Sequence, residues 1–207
     1  MKITIMNGAE EKSFPKEYQN LVDLNNVLGG ENQINNFDIK DLDIKPCTGC
    51  WTCWIKDPGM CIHKDDMPEL LVKARQTDLV VYISPLFVFS VTALLKTFLD
   101  RSVPNLMPYM MKKDGCTLHP NRYKNERQKG FIIFSAAGFP EVKGNFDGMS
   151  ALFRNMSAHS ETRVLAGEFY LPAAEMISQP VYRKRREMIE ETCFEAGRQI
   201  VEQGEID

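Results

Sequence analysis

Four of the six cysteines in this 207-residue chain fall within fifteen residues, Cys47-Thr-Gly-Cys50-Trp-Thr-Cys53-Trp-Ile-Lys-Asp-Pro-Gly-Met-Cys61. The spacing C-x2-C-x2-C-x7-C draws Cys47, Cys50 and Cys53 into a compact turn, and the Asp57-Pro58-Gly59 reversal returns Cys61 to them. Thiols gathered in this way do metal, cluster, disulfide or redox chemistry. The alternatives are a [4Fe-4S] cluster, a zinc ion, a labile disulfide, or a thiol-rich loop that packs Trp51 and Trp54 and holds nothing. Ferredoxin-type runs close with C-x3-C-P, and the longer last gap here is one that a loop can bridge. Structural zinc sites more often pair two separated C-x2-C knuckles.

The remaining chemistry-bearing residues are scattered. His63, His119 and His159 stand at no ligand or triad spacing, and Cys116 and Cys193 are isolated thiols, the second on an apolar helix face. Basic residues at Lys112, Lys113, Arg122, Lys124, Arg127 and Lys129 suit a solvated loop, with a nicotinamide phosphate or a partner subunit as the sharper reading. Arg183-Lys-Arg-Arg186 opposes the dipole at the start of the last helix, and a solvated face is again the simpler reading. The net charge of -3, with acids and bases interleaved, gives no electrostatic case for nucleic acid.

The elements that must position the thiols are legible from periodicity. Lys2 to Asn7 reads as a buried strand, with Gly8 to Ser13 the loop after it and a helix from Pro15 to about Leu28. Asn36 to Ile44 alternates apolar and polar, as an edge strand does, and the cysteine stretch follows it directly. Asp66 with Glu69 three residues later forms a capping-box pattern opening a helix to about Gln76. Asp78 to Ser84 is apolar throughout, a strand buried on both faces, and Ser90 is placed to cap a helix through Arg101.

Residues 102–129 read as an irregular insertion, which inside a domain is usually functional or an interaction surface. Phe131 to Ser135 is a further strand, Asn145 to His159 a helix, Arg163 to Leu171 a last strand, and Ser178-Gln-Pro180 opens a final helix. The run from Leu79 to Leu95 is broken by Pro85 and followed by Lys96, Asp100 and Arg101, so no membrane span is expected. The N-terminal run lacks a small-residue cleavage site, and a cytoplasmic location, where thiols stay reduced, is expected.

About five strands alternating with five helices predict one α/β domain over 1–207, a doubly wound five-stranded parallel sheet of order 2-1-3-4-5 with helices on both faces. Ligands of such sheets bind beyond the carboxyl ends of the strands, at the switch point between strands one and three. That rule selects the loops Asn7 to Ser13, Pro85 to Ser90 and Ser135 to Pro140. The cysteine stretch is expected beside them, with its sulfurs on the order of 10 Å from a ligand, given strands ~4.8 Å apart.

Ser84-Pro-Leu-Phe-Val-Phe-Ser-Val-Thr-Ala-Leu-Leu-Lys-Thr-Phe-Leu-Asp-Arg101 resembles the flavin-loop and helix signature of the NADPH-dependent FMN reductase family, and Gly138-Phe-Pro-Glu141 resembles its third flavin loop. Cys47 to Met67 is similar to the corresponding segment of the iron-sulfur flavoproteins, a branch of that family. The resemblance implies a flavodoxin-like fold, FMN at the carboxyl edge of the sheet, reduced NAD(P)H as co-substrate, and a homodimer or homotetramer. On it, Pro85, Leu86, Phe87, Val88, Phe89 and Ser90 wall and anchor the isoalloxazine ring, Ala137 and Gly138 let backbone approach it, and Gly8, Lys12 and Ser13 meet the FMN phosphate. Cys47, Cys50, Cys53 and Cys61 would hold the [4Fe-4S] cluster.

The chain departs from the family in its first loop. Asn7-Gly-Ala-Glu-Glu-Lys-Ser13 carries Glu10 and Glu11 where family members usually have a Ser- and Arg-containing phosphate cradle. The expected activity is transfer of electrons from reduced nicotinamide through flavin to a cluster, a protein carrier or a small acceptor, without a catalytic acid-base dyad. The other reading is an iron-sulfur electron-transfer or redox-sensing protein of the same fold that holds flavin weakly or not at all.

Overall fold

The computed structural model describes residues 1–9, 33–124, 130–177 and 179–203. The helix expected over 15–28, Glu10, Glu11, Lys12 and Ser13 in the first loop, and Arg127 and Lys129 lie outside the described residues. Five parallel strands form the sheet: β1 (Lys2–Asn7), β2 (Gln33–Asp38), β3 (Leu79–Pro85), β6 (Gly130–Ala136) and β7 (Val164–Leu171), in the order β2-β1-β3-β6-β7. The intervening β4 (Met111–Lys113) and β5 (Cys116–Leu118) pair only with each other, as an antiparallel hairpin inside the insertion. The expected doubly wound order 2-1-3-4-5 is therefore the observed one, and the insertion predicted to be irregular contains a small sheet.

Burial explains the order. Every residue of β3 and β6 is buried, as central parallel strands require, whereas β2 and β7 are mostly half-buried and lie at the edges. The period-two alternation of the central strands splits the core. On one face Ile3, Ile5, Val81, Ile83 and Ile132 meet Ala174 and Ile177 of the short helix α5 (Ala174–Ile177), with Cys193 of α6 (Arg183–Gln203) packed beside them. On the other face Met6, Val80, Tyr82, Phe131 and Ile133 meet three helices, α2 (Met67–Arg75), α3 (Ala93–Asp100) and α4 (Asp147–Ala158).

Three local expectations are corrected. The second strand ends at Asp38 rather than Ile44, because its partner β1 ends at Asn7 and the ladder has nothing further to pair with. Ile39 then turns inward through a short 3-10 segment and is buried. Asp66 precedes α2, but its carboxylate caps nothing there and accepts instead from the Asp43 amide at 2.8 Å. Ser90 is tied back to Phe87 by two backbone hydrogen bonds, and the cap of α3 is Thr92, whose Oγ1 accepts from the Leu95 amide and donates to the Gly8 carbonyl.

Candidate functional site

The switch-point loops meet as the topology demands. The Gly8 amide donates to the Ile83 carbonyl at 2.8 Å, the Leu86 amide to Ala136, and the Ala137 amide to Leu171, which ties the ends of four strands at one edge. Gly8 has no space for a side chain, since a Cβ there would lie 2.7 Å from Leu95 Cβ. This glycine is a packing requirement, distinct from the phosphate role expected of it.

Beyond β3, Phe87 to Ser90 form a tight reverse turn with Val88 and Phe89 both in the left-handed region, at φ 47° and 62°. Bulky side chains rarely hold that conformation, and the strain leaves three apolar residues at the surface, Phe87 and Phe89 half exposed and Val88 91% exposed. An apolar rim of this kind beside an open backbone at Gly138, where a Cβ would meet only Glu175 Oε1 at 4.0 Å, suits the edge and face of a flat ring system.

The cysteine stretch is built as a separate lobe. Its two legs are zipped together: the Lys45 amide donates to Asp65, the Asp66 amide to the Asp43 carbonyl, and the Asp43 amide to Asp66. Beneath them Arg101, 1% exposed, donates to both Asp65 oxygens at 2.7 and 3.0 Å and to the Lys45 carbonyl. The head of the loop turns through α1 (Thr52–Ile55), entered from a left-handed Trp51. There Trp51 stacks on Trp54, and Trp54 on His119 of the insertion, each at 4.7 Å between ring centres. Arg122, expected in a solvated basic loop, donates instead to the carbonyls of Pro104 and Leu106, with Cys53 O at 3.5 Å.

All four thiols, Cys47, Cys50, Cys53 and Cys61, border one cavity of about 50 Å³, together with His63 and Arg101. Among the described residues no three Cys, His, Asp or Glu side chains close on a geometry for a single metal ion, so the sulfurs stand around a space rather than a point. Burial pushes the Cys53 thiol up, and the neighbouring Cys61, Cys50 and Cys47 sulfurs push it further. Hydrogen bonds from Thr52 hold the exposed Cys50 below its ordinary value. Two residues that line the cavity, Arg101 and His63, each carry a buried nitrogen, Nε and Nε2, with no hydrogen-bond partner. Four thiols around one cavity are the donor set that a [4Fe-4S] cluster takes.

Helix α3 links the two halves of the site. Pro85 to Ser90 precede the start of α3, while Asp100 and Arg101 at its end line the thiol cavity. The thiol cavity thus borders one end of an eight-residue helix, about 12 Å long, whose other end follows the 85–90 turn. Sequence reasoning missed Arg101, Asp65, His63 and Arg122. The one available signal was the strong charge pair left by an Arg closing an otherwise apolar helix.

Gly59 packs against the insertion with no space for a side chain. Its φ is +87°, and a Cβ would lie 2.8 Å from Tyr123 Oη and 3.1 Å from Arg122 Cδ. Gly59→Ala is expected to cost about 1–2 kcal/mol from the left-handed backbone alone, and more from displacing Tyr123. Gly49→Ala, also at positive φ but in open space, carries only the backbone cost. Thermal melting of the two variants side by side checks this, Gly59→Ala melting lower.

Comparison with known proteins places these features. Residues 1–125 match the family model described as NADPH-dependent FMN reductase. An iron-sulfur flavoprotein of Archaeoglobus fulgidus is 30% identical over 132 residues, covering 61% of this chain and 54% of the relative. The chain spans about half the length of the curated relatives it matches first. Among solved structures, an NAD(P)H:quinone oxidoreductase from Methanothermobacter marburgensis superposes with a TM-score of 0.67 at 15% identity, covering 97% of this chain and 96% of that one. An FMN-dependent NADH-azoreductase from Bacillus anthracis in complex with FMN gives 0.60 at 13% identity, covering 95% and 100%. These structural likenesses establish the flavodoxin-like fold.

Proposed function

The chain belongs to the NADPH-dependent FMN reductase family, and from that premise we propose that it is an FMN-dependent oxidoreductase that takes electrons from reduced nicotinamide and passes them to an iron-sulfur cluster. The observation that carries the reading is the gathering of Cys47, Cys50, Cys53 and Cys61 around one cavity with the buried Arg101 in its wall. FMN when bound supplies a ring that accepts hydride and gives electrons up singly or in pairs. Phe87 and Phe89 wall that ring, Val88 and Ser90 complete the turn that presents them, and Pro85, Leu86, Ala137 and Gly138 bring backbone to its polar edge. Gly8, with Lys12 and Ser13, closes the phosphate end. Cys47, Cys50, Cys53 and Cys61 would hold the [4Fe-4S] cluster, which would supply one-electron transfer to a protein carrier or small acceptor.

The chain's own residues do positioning rather than proton transfer. We place the protein in the cytoplasm as a homodimer or homotetramer; no described helix is long and apolar enough to cross a membrane. A second reading, an iron-sulfur electron carrier or redox sensor with weak flavin binding, is favoured by the four thiols that border one cavity.

Anaerobic stopped-flow oxidation of NAD(P)H by FMN-loaded protein separates the readings. In the oxidoreductase, Cys50→Ala retains nicotinamide oxidation while losing transfer to a one-electron acceptor. If the wild-type protein loaded with iron and FMN oxidises no nicotinamide, the carrier reading replaces it.

A further inference from the structure

Arg101 is the largest of the fully buried side chains, and it ends α3 directly under the thiol cavity. Two of its nitrogens are committed: one donates to Lys45 O and Asp65 Oδ2, the other to Asp65 Oδ1. The third, Nε, is buried and has no acceptor. A guanidinium keeps its proton throughout the accessible range, so this is a fixed positive charge in a water-poor wall. Burial alone would lower its basicity, but Asp65 and the nearby Cys61 sulfur outweigh that and hold it charged.

Asp65 alone does not explain the arrangement. A carboxylate pair would be served by both terminal nitrogens, which it already takes, yet the guanidinium also lies against the Cys61 sulfur at the cavity, and its Nε has no oxygen acceptor. A buried N–H without a partner carries a desolvation cost that an acceptor in the cavity removes. Cluster sulfides and thiolates are acceptors, and each added electron makes them more negative.

We propose that Arg101 is a positioning and tuning residue for the group held by the four cysteines: Asp65 and the Lys45 carbonyl fix its guanidinium so that Nε–H and the positive charge stabilise that group's reduced form. The inference rests on the cluster reading above. Its sign follows from electrostatics. A nearby cation favours the more negative, reduced state and raises the reduction potential, and the effect is strong because water is excluded. Asp65 acts in the opposite sense, partly cancelling the cation. A residue that only stapled the loop legs would impose no such opposition, since loss of either partner would loosen the loop alike.

The test uses full-length protein reconstituted anaerobically with iron, sulfide and FMN. Iron and sulfide counts come first, then a spectroelectrochemical titration of the cluster and, as an internal reference, of the flavin. Asp65→Asn is expected to raise the cluster potential above wild type. Adding Arg101→Gln in that background, where no buried carboxylate is left unpaired, is expected to lower it again, with the flavin potential unmoved throughout. Equal cluster potentials in all three proteins overturn the proposal. Where the neutral double variant no longer retains iron, Asp65→Asn with Arg101→Lys decides: retention by the lysine protein means that the charge is required, and loss in both means that only the guanidinium's shape matters, which overturns the proposal. If wild type takes up no iron and sulfide, the cluster reading has failed, and the metal counts show it before any potential is measured.

Discussion

Asp65→Ala is expected to lower the melting temperature of the protein by roughly 6–20 °C, corresponding to about 3–5 kcal/mol lost by stranding a buried cation. The Asp65 carboxylate is fully buried and Arg101 1% exposed, so no water can replace the lost partner. The exposed pairs Lys96–Asp100 and Arg198–Glu202 offer the contrast, each about half exposed; removing either is expected to cost about 0–1 kcal/mol. Replacing both buried partners with apolar residues should recover much of the loss, because the expense lies in the orphaned charge.

The same pair sets a pH dependence. Burial pushes the Asp65 carboxyl up, but hydrogen bonds from Arg101 and from the Lys45 and Met67 amides outweigh it and leave it lowered. A lowered carboxyl contributes stability that is fully present above its unfolded value, about pH 3.9, and is lost as pH falls through the folded value. Asp65→Asn therefore removes a contribution that is constant near neutrality and fades in acid. Melting curves of wild type and Asp65→Asn should run parallel above about pH 5 and converge below about pH 4. A gap that widens in acid would assign the pair a different role.

Gly148→Ala is expected to weaken FMN binding by about tenfold or more, equivalent to ~1.4 kcal/mol. A Cβ at Gly148 would lie 2.7 Å from the Phe89 carbonyl oxygen, closer than real contacts allow. One side must move. Helix α4 is held by Met149 and Phe153, both without exposed surface, whereas the turn at Phe87–Ser90 is closed by two hydrogen bonds and already strained at Val88 and Phe89. The turn yields, and with it the aromatic rim. Overpacking of this kind costs about 1–3 kcal/mol in the unliganded protein. Flavin fluorescence titration measures the affinity; an unchanged dissociation constant would show that Phe87 to Ser90 make no contact with the cofactor.

The sheet was legible because its signals are local. The unbroken apolar runs at Leu79 to Ser84 and Phe131 to Ser135 mark strands buried on both faces, whereas the alternation from Asn36 to Ile44 overlaps the edge strand only at Asn36 to Asp38. What escaped is non-local. The end of β2 depends on where β1 stops pairing, and the α3 cap passed from Ser90 to Thr92 because Ser90 was already spent in a turn.

The thiol lobe shows the same division. Cysteine spacing foretold the gathering of the four thiols, yet Arg101 and Asp65 are thirty-six residues apart, and no periodicity links them. Arg122 has the composition of a solvated loop residue, and only packing reveals that it holds three carbonyls. That the lobe packs on the end of α3 was not legible either, because it rests on Arg101 and its distant partners. The Lys12 and Ser13 roles stand as proposals.

An ultraviolet-visible spectrum of anaerobically purified protein supplied with FMN, with flavin and iron counted on the same sample, tests the central claim most directly. The account predicts about one FMN and roughly four irons per chain, with both absorptions bleached by reduced nicotinamide. Protein that shows no flavin absorbance, gains no thermal stability from FMN and binds no iron would contradict it.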